Sequence, residues 1–291
     1  MGKEAEDWTV LKLLNWTKDY FARSNVDSPR LAAEVLLAHA LGCKRIELYA
    51  RFDTRPSPDL LAVFRQYVQR AAAHEPVAYI VGRKEFYSLD FKVTRDVLVP
   101  RPETEILVEQ AVAHLRHLGR QGTLWDICTG SGCIAAAAAH QVKDLRAVAT
   151  DISPAAIAVA QENMQALGLA DRVSCRVADL ATLPEDSGPL APFDVITANP
   201  PYVAANADVA PEVKHEPQSA LLAGKDGLDI IKPLIAQAHK YLRPGAILAL
   251  EFGYDQADAV RDLIAACGAY HEPRLIRDHQ QIERSAVAVK K

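Results

Sequence analysis

Cysteine is scarce and scattered here: Cys43, Cys128, Cys133, Cys175 and Cys267 are the five in 291 residues. An odd number at irregular spacing argues against a disulfide framework and for a reducing compartment. Cys128 and Cys133 lack the spacing and partners of a zinc site, and His114 and His117 share a helix face without a third ligand, so no metal is expected. Long apolar runs are missing as well. No stretch approaches 18 uncharged apolar residues, and the acidic opening Met1-Gly2-Lys3-Glu4-Ala5-Glu6-Asp7 leads into no apolar segment. Neither a membrane span nor a secretory signal is read, and a cytoplasmic chain is expected. A positive excess is absent too: residues 1–98 carry 15 Lys+Arg against 13 Asp+Glu, residues 99–291 carry 18 against 24, and the net charge is −4. Neither part is a strongly basic surface, so no stable nucleic-acid complex is expected. There is no internal repeat and no low-complexity tract.

With 49% hydrophobic and 24% charged residues, the chain has the material for a large core in one or two domains. Residues 1–75 read as all helix, with almost no glycine. Leu60, Phe64, Tyr67, Val68 and Ala71 recur at helical spacing, as do Leu31, Val35 and Ala38 after the cap-like Ser28-Pro29. This is read as a helical substrate-recognition domain. Residues 76–98 form the next segment, where 79–82 and 86–93 have β composition; a hairpin linker is expected. Pro100-Arg101-Pro102-Glu103-Thr104-Glu105 then opens a helix, and residues 99–291 form the catalytic domain. Strands are predicted at 124–128, 147–150, 173–177, 195–198 and 247–252, with helices near 133–141, 154–167, 226–242 and 255–267. Residues 184–192 read as a loop. The alternation implies a doubly wound, mostly parallel α/β sheet. Two last strands, about 274–278 and 286–289, have no helix between them and should pair antiparallel or lie apart.

The chemistry gathers at strand ends. Asp126-Ile127-Cys128-Thr129-Gly130-Ser131-Gly132-Cys133 turns from the first sheet strand into a helix. It is neither a dinucleotide G-x-G-x-x-G nor a phosphate-cradling P-loop with its lysine. A glycine-rich turn without a cation suits a ligand without phosphates. Asp151 ends the second strand, where a carboxylate can accept both ribose hydroxyls. Asp179 ends the third, followed by apolar Leu180, at the depth of an adenine ring. The ordered set points to S-adenosyl-L-methionine, leaving S-adenosyl-L-homocysteine. After the fourth strand comes Asn199-Pro200-Pro201-Tyr202. Prolines and an aromatic cannot continue a strand. The Asn199 side-chain oxygen and the Pro200 carbonyl can each accept a hydrogen of a planar –NH2 group, and Tyr202 offers a ring face. A plain proline-rich turn with a capping Asn is the competing reading of this tetrapeptide alone.

In that order these elements resemble a class I methyltransferase acting on an amide or amino nitrogen. Together with Gly82-Arg83-Lys84-Glu85-Phe86, the Pro100–Glu105 stretch, Glu216-Pro217 and Gly224-Lys225-Asp226-Gly227-Leu228, they resemble the HemK/PrmC family over nearly the whole chain. That resemblance implies a Rossmann-like seven-stranded sheet and a small N-terminal helical bundle joined by a β-hairpin. It implies methyl transfer to the glutamine amide of a Gly-Gly-Gln loop in peptide chain release factors. A monomer is expected. Pro201, Phe86, Arg101 and Glu103 join Asn199, Pro200 and Tyr202 as substrate-side candidates. Two positions depart from the family: Cys128, where Gly is frequent, and Leu180, where a large aromatic is common. Two other targets stay open: an adenine or guanine amino group of a nucleic acid, which predicts a basic face, and the glutamine of a ribosomal protein. A non-enzymatic docking protein would predict a damaged glycine loop or turn, and both are intact.

Overall fold

The computed structural model describes residues 8–182 and 191–291. Most of the loop predicted at 184–192 lies outside them. Two compact units are present: Met1–Gly82 together with Ala210–His215, and Arg83–Val209 together with Glu216–Lys291.

The first unit is helical. Helices α1 (Val10–Arg23), α2 (Pro29–Ala40), α3 (Pro58–Ala72) and the short α4 (Val77–Val81) enclose a core that includes Leu14, Phe21, Ala33, Leu36, Leu37, Phe64, Val68 and Ile80. Thr9 and Ser57 cap α1 and α3 through their side chains, whereas Ser28 sits at φ +44° and makes no such bond, so Pro29 alone marks the start of α2. The buried face of α2 runs through Ala33, Leu36 and Leu37; Leu31 is exposed, one position away from the expected stripe. Residues 79–81 are also helical, not extended. Pro76 stands at the N-terminus of α4, where its fixed φ and missing N–H are harmless, and Gly82 closes the turn in the left-handed region.

The second unit begins with the hairpin β1 (Arg83–Phe86) and β2 (Leu89–Lys92), joined by Tyr87 and Ser88, both at positive φ. That is the two-residue turn whose twist matches paired strands, made here without glycine. Helix α5 (Glu105–Arg116) follows. The sheet then contains β3 (Thr123–Ile127), β4 (Arg146–Asp151), β5 (Val173–Val177), β6 (Phe193–Ala198), β7 (Leu242–Glu251), β8 (Arg274–Arg277) and β9 (Glu283–Val289), interleaved with α6 (Cys133–Gln141), α7 (Pro154–Ala166), α8 (Ile231–Ala238) and α9 (Ala257–Cys267). The strand order is β5-β4-β3-β6-β7-β9-β8, with β9 antiparallel to both neighbours and the rest parallel. The two last strands do pair antiparallel.

The central strands are buried on both faces, as a parallel sheet requires. Leu124, Ala147, Ala149, Val195 and Ile247 meet α5, α6 and α7 on one face; Trp125, Val148, Ile196, Leu248 and Leu250 meet α8 and α9 on the other. Ala135 to Ala139 are wholly buried in α6, and their small side chains let this helix lie against the sheet and α5 at once. Helix α8 is shorter than the 226–242 expected. Gly227 lies at φ +73°, so 226–230 form a turn that no α-helix could include.

Candidate active site

Strand order reverses between β3 and β6, and in open α/β sheets the crevice at such a switch point holds the ligand. A cavity opens there, on the C-terminal ends of β5, β4, β3 and β6. It is lined by Cys128, Thr129, Gly130 and Ser131 after β3, Asp151 at the end of β4, Asp179 and Leu180 after β5, and Asn199 and Pro201 after β6. Arg101 and Thr104 line it from the segment before α5. Six further sequence candidates lie off this lining: Asp126, Gly132, Pro200, Tyr202, Phe86 and Glu103. Phe86 is in the core against Phe91, with ring centroids 6.1 Å apart, and keeps no free face for a ligand.

Asp126 is fully buried in β3 and holds the turn from beneath. One carboxylate oxygen accepts from Thr197 Oγ1 at 2.7 Å, and the other accepts from Thr129 Oγ1. Burial raises its pKa to about 6, against those hydrogen bonds. Asp151 joins two strands' ends: Oδ2 accepts from the Gly130 N–H and Oδ1 from the Ser153 N–H, each at 2.9 Å. Burial raises its pKa too. Each oxygen keeps a second lone pair for a ligand hydroxyl. Cys128 and Leu180, the two departures from the family, are both non-glycine residues at positive φ, +57° and +45°. At Cys128 the backbone explains the family's glycine directly, because the left-handed region costs an L-residue about 1–2 kcal/mol.

The Asn199 turn is built from behind. Asn199 Nδ2 donates to Thr104 Oγ1 at 3.1 Å; Thr104 Oγ1 donates to Glu251 Oε2 at 2.7 Å; Tyr202 Oη donates to Glu251 Oε1 at 3.2 Å. Burial raises the Glu251 pKa to about 7 and pushes the Tyr202 phenol up as well. Gln256 donates from Nε2 to the Tyr202 carbonyl at 3.0 Å and accepts the Gly253 N–H at 2.8 Å. The Val203 N–H donates to the Leu221 carbonyl at 2.8 Å, and the Val203 carbonyl accepts from the Ala223 N–H at 2.9 Å. Arg101 Nη2 donates to both carboxylate oxygens of Glu216, at 2.9 and 2.8 Å. On the cavity lining Arg101 is the single Lys or Arg among the described residues, and this pairing occupies it.

The comparisons agree with this geometry. A family model described as PrmC N-terminal domain matches residues 12–82, and one described as methyltransferase small domain matches residues 102–224. The release factor glutamine methyltransferase of Rhodopirellula baltica is 42% identical over 285 residues, covering 95% of this chain and 95% of that one. The protein of the same name from Moorella thermoacetica is 43% identical over 277 residues, covering 93% and 94%. The chain belongs to the release factor glutamine methyltransferase family. Among solved structures, the hMettl16 catalytic domain in complex with the MAT2A 3′UTR hairpin 6 is 16% identical with a TM-score of 0.57, covering 76% of this chain and 81% of that one; this likeness carries the fold alone.

Release factor glutamine methyltransferases are class I enzymes, and the class uses S-adenosylmethionine. The lining here fits that ligand: an Asp with spare lone pairs, an apolar flank at Leu180 and, among the described residues, no uncommitted cation to demand a phosphate. Sequence reasoning missed four residues of this family member. Thr104 and Glu251 lie 147 positions apart, and no local pattern joins them. Gln256 is a polar side chain just before α9. Asn163 was detectable as an amide within the apolar stripe of α7; it donates to the Ser131 carbonyl at 2.9 Å and bonds both backbone groups of Lys92, tying the glycine loop to the hairpin.

Proposed function

We propose that this chain transfers a methyl group from S-adenosylmethionine to the side-chain amide nitrogen of a glutamine in a peptide chain release factor. The observation that carries the reading is Asn199 at the cavity rim, its Nδ2 committed to Thr104 and its carbonyl oxygen left to accept a hydrogen from a substrate amide. When bound, S-adenosylmethionine supplies an activated methyl on a sulfonium. Asp151 would hold the ribose hydroxyls, and Asp179 with Leu180 the adenine; Cys128 to Ser131 would border the methionine portion. A glutamine amide is a poor nucleophile, because its lone pair is delocalised into the carbonyl. The protein's work is therefore orientation. Asn199 Oδ1 and the Pro200 carbonyl hold the two amide hydrogens, aim the nitrogen and stabilise the positive charge that develops on it. The surplus proton leaves to water. Tyr202, with Pro201, walls the amide plane, and Arg101 and Glu103 border the entrance. The helical first unit reads the folded substrate, the chain acts in the cytoplasm and it works as a monomer. Incubation with labelled cofactor and a purified release factor should place one methyl on the loop glutamine, located by fragmentation mass spectrometry. Label in duplex DNA or ribosomal RNA, with none in the release factor, would overturn the reading.

A further inference from the structure

Glu251 ends β7 with 2% of its surface exposed, and nothing in the transfer as described uses it. An ionised carboxylate there accepts hydrogens and donates none, so both hydroxyls that touch it must point inward. Thr104 has one hydrogen, and it goes to Glu251. Its oxygen can then only accept from Asn199, and the amide is forced to place Nδ2 toward Thr104 and Oδ1 toward the substrate. Tyr202, spending its own hydrogen on the other carboxylate oxygen, is held at the same anchor. We infer that Glu251 is a positioning residue of the transfer: through Thr104 it sets which end of the Asn199 amide faces the substrate, and through Tyr202 it fixes the far side of the turn.

The direction of the network depends on the carboxylate. A protonated Glu251 becomes a donor; Thr104 is then free to give its hydrogen to Asn199 Oδ1, and the amide turns over, presenting Nδ2 to a substrate that also offers hydrogens. The ionisable groups that act on Glu251 are Glu103, which opposes ionisation, Arg284, which favours it, and Tyr202, whose hydrogen bond favours it.

The inference rests on the amide-methylation reading, so the test separates the two. With the full chain, Thr104→Val and Glu251→Leu should lower kcat about 100-fold, as for loss of a pre-organised polar contact, while calorimetric affinity for S-adenosylmethionine stays within about twofold in Glu251→Leu, whose side chain lies off the cavity lining. Thr104→Ser should recover most of the rate. Glu251→Gln can offer Oε1 to Thr104 and Nε2 to Tyr202, so it should keep most of the rate and lose the fall in kcat on the acid side of neutrality. Wild-type kcat in Thr104→Val, or an unchanged acid limb in Glu251→Gln, would overturn the inference. A readout without any methyl acceptor is the Asn199 side-chain NH2 resonance, identified by its loss in Asn199→Asp. Thr104→Val should shift it and speed its exchange. If wild type methylates no release factor yet this resonance moves, the substrate reading fails and the positioning role stands. If wild type methylates and the resonance is indifferent to Thr104, the positioning role fails.

Discussion

Asn199 and Asp151 differ in what their neighbours already take from them. Asn199 gives one hydrogen to Thr104 and keeps its carbonyl, so truncation removes the acceptor proposed for the substrate amide with little loss to the frame. Asn199→Ala should reduce turnover by about two orders of magnitude or more, with cofactor affinity largely retained; near-normal turnover would exclude the amide clamp. Asp151 does two jobs, bracing Gly130 and Ser153 and facing the cavity. Asp151→Ala leaves two backbone donors without their acceptor, each worth roughly 1–3 kcal/mol when buried. It should weaken S-adenosylmethionine about tenfold or more and lower the melting temperature together, both readable in one titration series by scanning calorimetry. An affinity loss without a stability loss would mean that the bracing bonds carry no weight. Residues at strand ends such as these were legible because a polar side chain following an apolar run has few structural reasons to be there. Phe86 was not, because an aromatic beside a motif reads the same whether it faces a ligand or, as Phe86 does, the core.

At the scale of elements, the turn after β6 is held in shape by a second turn. Gly227 sits at φ +73°, and a Cβ on it would lie 2.2 Å from the Tyr202 carbonyl oxygen and 2.5 Å from Gln256 Nε2. The obstacle is backbone, so it cannot swing aside. Gly227→Ala should cost at least about 2 kcal/mol through strain and displacement, and lower kcat by moving the Asn199 turn, measurable by urea unfolding beside initial rates. Gly132→Ala, whose Cβ would meet the end of the Met164 side chain at 2.6 Å, should cost less than Gly227→Ala, since a thioether can repack. The strands, the glycine loop and most helices of the second unit were legible in the sequence, because double burial writes unbroken apolar runs. The 226–230 turn was not. Leu228, Ile231, Leu234 and Ile235 recur at helical spacing and extend the apparent helix upstream, whereas the turn signal Asp226-Gly227 is what the structure obeys. Residues 79–81 failed for a related reason: β-branched and aromatic side chains in a five-residue helix follow tertiary packing rather than propensity.

For the whole molecule, three buried carboxylates set opposing pH responses in the second unit. Asp126 and Glu251 titrate above the ordinary carboxylate range in the folded state, at about 6 and about 7. Through these two groups the native form binds more protons than the unfolded one between about pH 4 and 7, and their contribution to stability falls as pH rises through that window. Asp194 runs the other way. Burial pushes it up, but hydrogen bonds from Arg120 and Thr123 and the nearby Arg243 hold it below its ordinary value, so its contribution is present above about pH 4 and is lost as pH falls through the folded pKa. Between about pH 5 and pH 8 the thermal midpoint of Glu251→Gln should gain relative to wild type as pH rises; midpoints that keep a constant difference across that range would contradict the placement of Glu251. The chain's path has a different kind of consequence. Ala210–His215 leaves the catalytic unit soon after the Asn199 turn to become part of the helical unit, where Glu212 Oε1 meets His74 Nδ1 at 3.0 Å, and Glu216 is back with Arg101 at the next residue. The helical unit is thus assembled from two separate stretches of gene, and a chimaera that exchanges only the first 82 codons would mate a foreign bundle with a native six-residue graft. Swaps between relatives should succeed when both stretches travel together and fail when they are parted.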